Sequence, residues 1–133
     1  MKLTTKGVYG LEAMMVLALE TNRCFSIQAI AASRSISIKY LEQIFQSLKK
    51  ADLIVSERGK LGGYRLALPA EQITIQMILT ALDEQMADTL PSNTKLHQIY
   101  TQLQMELDTV FNRITLGTLS QQYREHEFDD FVI

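Results

Sequence analysis

The segment RGKLGGYRL, from Arg58 to Leu66, places three cations and three glycines within nine residues. Guanidinium and ammonium groups bind phosphate, and glycine lets a backbone turn tightly or approach a ligand closely. Such a segment can bind a nucleotide, contact the phosphates of DNA, or form a solvent-exposed hairpin. Neither GxxxxGK(S/T) nor GxGxxG is present, and the segment joins two strand-like stretches instead of leading into a helix. The pattern therefore predicts a β-hairpin with a basic tip.

A polar helix face precedes this hairpin. The stretch IKYLEQIFQSLKKA has helical apolar spacing, and its inward positions are Leu41, Ile44, Phe45 and Leu48. The other side is polar and hardly acidic, and the groups there that suit DNA are Ser37, Lys39, Tyr40 and Gln43. A glutamine can pair with adenine through two hydrogen bonds, and hydroxyl groups can donate to phosphate or base.

The order of these elements predicts a winged helix-turn-helix. A short helix capped by Ser26 is followed by a tight linker, a second helix capped by Ser37, and the hairpin. In such folds the second helix enters the major groove. We therefore expect Arg58 and Lys60, at the hairpin tip, to meet backbone phosphate or to enter the minor groove.

Charge is divided unevenly along the 133 residues, whose formal net charge is −2. Residues 1–65 hold ten Lys or Arg against five Asp or Glu, whereas residues 66–133 hold three against ten. This division suggests that the first half meets a polyanion, although a chance asymmetry of solvated faces gives the same count. The longest apolar run, Ala13 to Leu19, is too short to cross a bilayer, and no signal peptide is recognisable. A single cysteine fits a reducing cytosol, so we expect a cytoplasmic protein without membrane contact.

The fold class expected from these patterns is mainly α, with a two-stranded wing and a long C-terminal dimerisation helix. Helix one starts at Thr4 or Thr5, with an apolar face expected at Val8, Leu11, Met15, Ala18 and Leu19. Thr74 caps the last helix of the winged domain, and Thr118 is expected to cap a short final helix. The organisation is a DNA-binding domain at 1–82, a loop at 83–95, the dimerisation helix and a short following helix at 96–127, and a tail at 128–133.

A heptad-like apolar seam runs along the long helix. Its positions are spaced by three or four residues and are Leu96, Ile99, Leu103, Leu107, Val110 and Ile114. A seam of this length needs a partner surface. Half of it could lie against helix one of the same chain, but the pattern favours a homodimer interface.

Three segments carry a family resemblance. MKLTTKGVYGLEAMMVLA, ISIKYLEQIFQSLKKADLIVSERGKLGGYRL and NRITLGTLS resemble the opening helix, the recognition helix with its wing, and the segment after the dimer helix of the Rrf-type bacterial transcription regulators, which include IscR, NsrR and CymR. The resemblance implies a homodimer on a partly palindromic operator of double-stranded DNA. When the DNA contacts of the family are carried over by sequence position, they fall on Ser37, Lys39, Tyr40, Gln43, Arg58 and Gly59. The same comparison places Thr4 and Lys6 near the DNA backbone.

The cysteines depart from part of this family. Its cluster-binding members keep three cysteines ahead of the dimer helix, whereas this chain has none between Asp83 and Met105. His97, near the expected place, fits a solvated helix residue better than a lone ligand. We therefore expect no iron–sulfur cluster and no other cofactor, and the resemblance points to the CymR-like branch, which represses cysteine and sulfur genes. Cys24 fits either a small buried side chain or a redox sensor with a lowered pKa.

The chain ends in DDFVI, which resembles the C-terminal peptide that serine acetyltransferases insert into cysteine synthase. The resemblance suggests a partner-binding tail at Asp130, Phe131, Val132 and Ile133, with cysteine synthase as the partner. Alternatively, Phe128 and Phe131 pack on the dimer, or the tail frays. The sequence holds no nucleophile motif or metal-ligand cluster, so an enzyme is not expected. The other alternative is an interaction module that works through the dimer helix and tail without binding DNA.

Overall fold

The computed structural model describes the backbone of residues 4–83 and 94–131, and the side chains of these residues as far as 126. The elements in these ranges are α1 (Thr5–Leu19), α2 (Ile27–Arg34), α3 (Ile38–Lys50), β1 (Ile54–Glu57), β2 (Gly63–Leu66), a 3-10 helix (Ala70–Gln72), α4 (Ile75–Leu82), α5 (Lys95–Arg113) and α6 (Leu116–Phe131). The mainly helical fold with a two-stranded wing is confirmed. Within the described ranges, no helix has the length and apolar character needed to span a membrane.

Hydroxyl side chains start the helices of the winged unit where the sequence predicts them. Thr4 Oγ1 accepts a hydrogen bond from the Gly7 amide at 3.0 Å, and Ser26 Oγ accepts one from Ala29 at 3.1 Å. Ser37 and Thr74 cap α3 and α4 in the same way. Each such cap stabilises its helix by about 1 kcal/mol.

The turn between α2 and α3 sets the angle between the two helices. Ser35 adopts a left-handed conformation with φ of 55°, and its amide returns to the Ala31 carbonyl, which ends α2. Ile36 is buried directly after this turn, so the chain is held on the core before Ser37 starts α3. The helix-turn-helix geometry therefore rests on a non-glycine residue in a conformation that costs free energy.

The core lies between α1, α3 and α4. The predicted inward face of α3 is buried, as are Ile75, Ile78, Leu79 and Leu82 of α4, and the ring of Phe45 packs against that of Tyr64 with centroids 4.7 Å apart. The predicted face of α1 is partly wrong, because Val8 is 37% exposed whereas Met14 and Leu17 are buried. Helices α3, α4 and α6 all contact α1, so a single apolar stripe does not describe it.

The wing is joined to the rest of the chain by a short bridge. Strands β1 and β2 pair antiparallel, with Ile54 opposite Leu66 and Glu57 opposite Gly63. Phe25 forms a bridge with Tyr64 through two backbone hydrogen bonds of 2.9 and 2.7 Å. Gly63 has φ of 138°, and a Cβ there would overlap the Phe25 carbonyl, so this junction requires glycine.

A second bridge joins the C-terminal helices to the winged unit. The Ile75 amide donates to the Ile114 carbonyl at 2.9 Å, and the Leu116 amide donates to the Ile73 carbonyl at 2.7 Å. Ile114 therefore lies just beyond α5 in an extended conformation, although the seam pattern includes it. Leu116 is completely buried.

Helix α6 differs from the short final helix that the sequence predicts. It has 16 residues and begins at Leu116. Its cap is Thr115, whose Oγ1 accepts a hydrogen bond from the Thr118 amide, so the predicted cap Thr118 lies inside the helix. Asp130 and Phe131, assigned to a tail, belong to its last turn, whereas Val132 and Ile133 lie outside the described residues.

Candidate nucleic-acid interface

The outward face of α3 carries one polar column. Counting 100° per residue, four exposed side chains lie opposite the buried face: Lys39, Gln43, Gln46 and Lys50. The structure thus places two predicted DNA contacts, Lys39 and Gln43, in the same column. Two further polar residues continue this column toward the C-terminal end of the helix. The sequence holds the signal for Gln46 and Lys50, because they continue the spacing of three and four residues from Lys39. No carboxylate lies in this column; Glu42 is on its flank.

Ser37 caps the start of α3, and Tyr40 lies in its first turn on the side that faces α1. Ser37 Oγ accepts the capping hydrogen bond from the Tyr40 amide at 3.1 Å, but the exposed hydroxyl keeps its own proton to donate. The ring of Tyr40 is half-buried and meets Tyr9 edge to face, with centroids 5.8 Å apart. Two residues at the start of α1 are predicted to lie near the DNA backbone. Thr4 is exposed, and its side chain caps the helix, whereas Lys6 is half-buried in the first turn.

The predicted contacts of the wing all lie at its tip. Arg58, Gly59 and Lys60 are exposed in the five-residue loop between β1 and β2. The loop closes through a hydrogen bond from the Gly62 amide to the Gly59 carbonyl at 3.1 Å, and Gly59 has φ of 108°. Lys49 Nζ donates to Ser56 Oγ at 2.9 Å, so the end of α3 is connected to the wing. The cationic tip of the wing therefore belongs to a hairpin that is held against the C-terminal end of α3.

An ion pair joins the two strands of the wing close to its tip loop. Arg65 Nε donates to Glu57 Oε1 at 2.6 Å, and this hydrogen bond is the main reason that the pKa of Glu57 falls below its usual range. Cys24 Sγ donates to Glu57 Oε2 at 3.5 Å. The Glu57 carboxylate, which directly precedes the tip loop, therefore accepts hydrogen bonds from both Arg65 and Cys24.

The surroundings of Cys24 raise the pKa of its thiol. Burial raises its pKa most, followed by the hydrogen bond to Glu57 and the charge of that carboxylate, whereas Arg65 lowers it slightly. A redox-sensing cysteine would need a lowered pKa, and the shift of Cys24 has the opposite direction. The redox-sensor interpretation of Cys24 therefore lacks one of its conditions. The residue lines an open cleft of about 730 Å³ between the α1–α2 connection and the wing, so small reagents can reach it.

Helix α5 presents its apolar seam to solvent. Among its 19 residues none is buried. A half-buried strip that includes Tyr100 and Gln104 lies next to the seam, on the side where α5 contacts α4. The seam itself is exposed, and its helical positions are Leu96, Ile99, Leu103, Leu107 and Val110. The chain's own described elements leave this face uncovered.

The chain is similar to known transcriptional regulators along nearly its whole length. A family model described as Rrf2, iron-dependent transcriptional regulator, matches residues 3–122. The regulator IscR of Vibrio atlanticus is 35% identical over 140 residues, covering 98% of this chain and 81% of that protein. The solved structure of T. potens IscR superposes with a TM-score of 0.81 at 30% identity, covering 95% of this chain and 90% of the other.

Two further solved structures are also similar. The oxidized form of Staphylococcus aureus CymR has a TM-score of 0.75 at 36% identity, covering 90% of this chain and 96% of the other. CymR of B. subtilis, described as the global cysteine regulator, has a TM-score of 0.74 at 31% identity, covering 92% and 98%. Each of these three structures covers at least 90% of the chain.

We predict that Glu57→Gln makes Cys24 more reactive. The substitution removes the carboxylate that raises the thiol pKa and leaves the charge of Arg65, which lowers it. More thiolate is then present near pH 8, and alkylation by iodoacetamide becomes severalfold faster. The measurement is the alkylation rate as a function of pH, whose midpoint should move to lower pH.

The matched control is Glu20→Gln. Glu20 pairs with Arg23 at 2.8 Å in the same region of the chain and is not among the groups that shift the pKa of Cys24. The midpoint of this variant should equal that of the unmodified protein. An unchanged or higher midpoint in Glu57→Gln contradicts the role assigned to the carboxylate.

Proposed function

Because the chain belongs to the Rrf2 family of transcriptional regulators, we propose that it is a homodimeric repressor that binds a palindromic operator in double-stranded DNA. The observation that carries this proposal is the polar column of α3, free of carboxylates and connected to a wing with a cationic tip. The similar proteins are named as regulators and not as enzymes, which accords with the lack of catalytic motifs in the sequence.

In the proposed complex, α3 lies in the major groove. Gln43, at the centre of the polar column, is placed to pair with an adenine, while Lys39 and Lys50 at the ends reach phosphates on either side. Ser37 and Tyr40 donate to the backbone from the flank of the helix. The wing then meets the neighbouring minor groove with Arg58 and Lys60.

The proposed dimer forms through the seam of α5. Five apolar side chains on one exposed helical face are unfavourable in water, and a second copy of the chain offers the same seam in return. A two-fold axis there places two α3 helices on one duplex, with half-sites about 34 Å apart or a multiple of it.

The residues present do not fit the iron dependence in the description of the matched family. A [2Fe–2S] or [4Fe–4S] cluster needs several thiolates or thiolates with imidazole, and the chain has one cysteine and two histidines. Cys24 Sγ donates to Glu57, and burial together with this contact raises the pKa of the thiol. Within the described residues, no group of three or more His, Cys, Asp or Glu is placed to hold a metal ion. We therefore propose that the protein regulates transcription without an iron–sulfur cluster.

The similarity to two CymR structures supports a finer proposal. One of them is described as a global cysteine regulator, and we extend that role to this chain as repression of cysteine and sulfur genes in the cytoplasm. The terminal sequence DDFVI adds cysteine synthase as a candidate partner. That partner is proposed on sequence alone, since Val132 and Ile133 lie outside the described residues.

DNA binding is tested with genomic fragments selected by the purified protein and titrated at several salt concentrations. Arg58→Ala should reduce the slope of log affinity against log salt by about one unit, because one phosphate contact is lost. Gln43→Ala should leave the slope unchanged and cost about 1–3 kcal/mol of discrimination at one base pair. Gln121→Ala, exposed on α6, is the control.

The affinity of the unmodified protein for DNA should be the same in the presence of a strong iron chelator. Binding that is absent or independent of salt would instead favour an interaction module.

Dimerisation is tested by a pair of substitutions on opposite faces of α5. Leu103, in the seam, is 53% exposed, and Met105, on the opposite face, is 60% exposed. Leu103→Glu buries a carboxylate in the proposed interface and should give a monomer in analytical ultracentrifugation, because an unpaired charge there costs several kcal/mol. Met105→Glu should remain a dimer. If both variants keep the state of the unmodified protein, the seam is not the interface.

The tail proposal is tested with a synthetic DDFVI peptide. If the tail docks in the active site of cysteine synthase, the peptide should displace a fluorescent C-terminal peptide of serine acetyltransferase. The same peptide with an amidated C-terminus should compete much more weakly, because the carboxylate is lost. Equal failure of both peptides removes cysteine synthase from the proposal and leaves DNA binding untouched.

A further inference from the structure

The most exposed apolar residue of the described side chains is at the tip of the wing. Leu61 is 92% exposed, compared with 60% for the most exposed residues of α5. It occupies the closed turn between Gly59 and Gly62, which holds it away from the core. The exposure of Leu61 serves neither the core nor the α5 seam.

The surroundings of Leu61 indicate the partner that would cover it. The five-residue loop holds Arg58 and Lys60 and no carboxylate, so an apolar tip is flanked by two exposed cations. Charge complementarity therefore favours a partner that is a polyanion and that also offers an apolar surface close to Leu61. The minor groove of DNA has both, because phosphates line its edges and deoxyribose and base edges form its interior. One leucine is too small an apolar group to hold the chain on a lipid surface.

The tip is also held rigidly. The ion pair between Glu57 and Arg65 joins the two strands close to the tip loop, and the Phe25–Tyr64 bridge fixes β2 to the rest of the unit. A Cβ at Gly62 would overlap the Glu57 carbonyl, so the loop folds closely on its own strand. A preorganised tip loses little conformational entropy when it inserts into a groove.

We propose that Leu61 is a specificity-determining residue that enters the minor groove as an apolar wedge. It packs on deoxyribose, opens a base step and bends the duplex, while Arg58 and Lys60 hold the phosphates on either side. Because pyrimidine–purine steps unstack most easily, the wedge selects operators with a TA or CA step beneath the wing. The inference rests on the proposed DNA-binding function and adds a sequence preference that does not depend on hydrogen bonds to bases.

The test uses the full chain and a duplex selected from genomic DNA, in two versions. One version keeps or receives a TA step where the wing contacts the minor groove, and the other has a stiff A-tract there. Affinity is measured by fluorescence anisotropy at several salt concentrations, and bending by energy transfer between the duplex ends. For Leu61→Ala we expect about tenfold weaker binding to the TA duplex, a smaller bend and no preference between the two duplexes. The salt slope should not change, because no charge is lost.

Two further variants separate the wedge from a general loss of structure. Leu61→Met keeps an apolar side chain of similar size and should retain the affinity, the bend and the preference. Leu68→Ala removes a leucine that is 37% exposed outside the wing tip and should behave like the unmodified protein. The wedge is overturned if Leu61→Ala binds, bends and discriminates as before, or if its salt slope falls by a full unit. If the unmodified protein binds no DNA, the proposed function fails first, and that result is distinct from failure of the wedge alone.

Discussion

The buried face of α3 is the constraint on which the proposed DNA-binding surface depends. Leu41, Ile44 and Leu48 are fully buried, and full burial of such a side chain stabilises the fold by about 1.5–3 kcal/mol. This packing fixes the rotation of the helix about its axis. The opposite column can therefore consist of polar groups that contribute nothing to the core. Rotation by one residue would put Lys39 toward α1 and an apolar side chain toward solvent, so the same contacts that stabilise the helix also select its outward face.

The wing and the C-terminal helices are connected to this unit by a few long-range contacts. The Phe25–Tyr64 bridge attaches the wing, and the bridge between Thr74 and Thr115 attaches the corner between α5 and α6. From α6, Arg124 Nη2 donates to the Leu19 carbonyl at 2.6 Å and so satisfies the C-terminal end of α1. Tyr123 accepts from Arg34 Nη1 at 3.2 Å, one residue before the turn into α3. Helix α6 therefore contacts both the C-terminal end of α1 and the last turn of α2.

The sequence predicts best the features that depend on neighbours a few residues apart. The caps at Thr4 and Ser37 and the buried face of α3 follow from hydroxyl positions and apolar spacing. Features set by distant residues were not predictable. The Cys24–Glu57 hydrogen bond joins residues 33 positions apart, and the Arg34–Tyr123 contact joins residues 89 apart. The glycines at 62 and 63 were recognised as turn formers, but only the Phe25 carbonyl explains why position 63 excludes a side chain.

The fold also explains how the winged unit can form in a chain with one cysteine. The core of the winged unit is closed by its own side chains together with Leu116, and it includes no metal ligand. The packing that orients α3 therefore does not need a metal centre. Helix α6 joins the same unit through hydrogen bonds between protein groups at Leu19 and Arg34, so its attachment does not depend on a metal ion either.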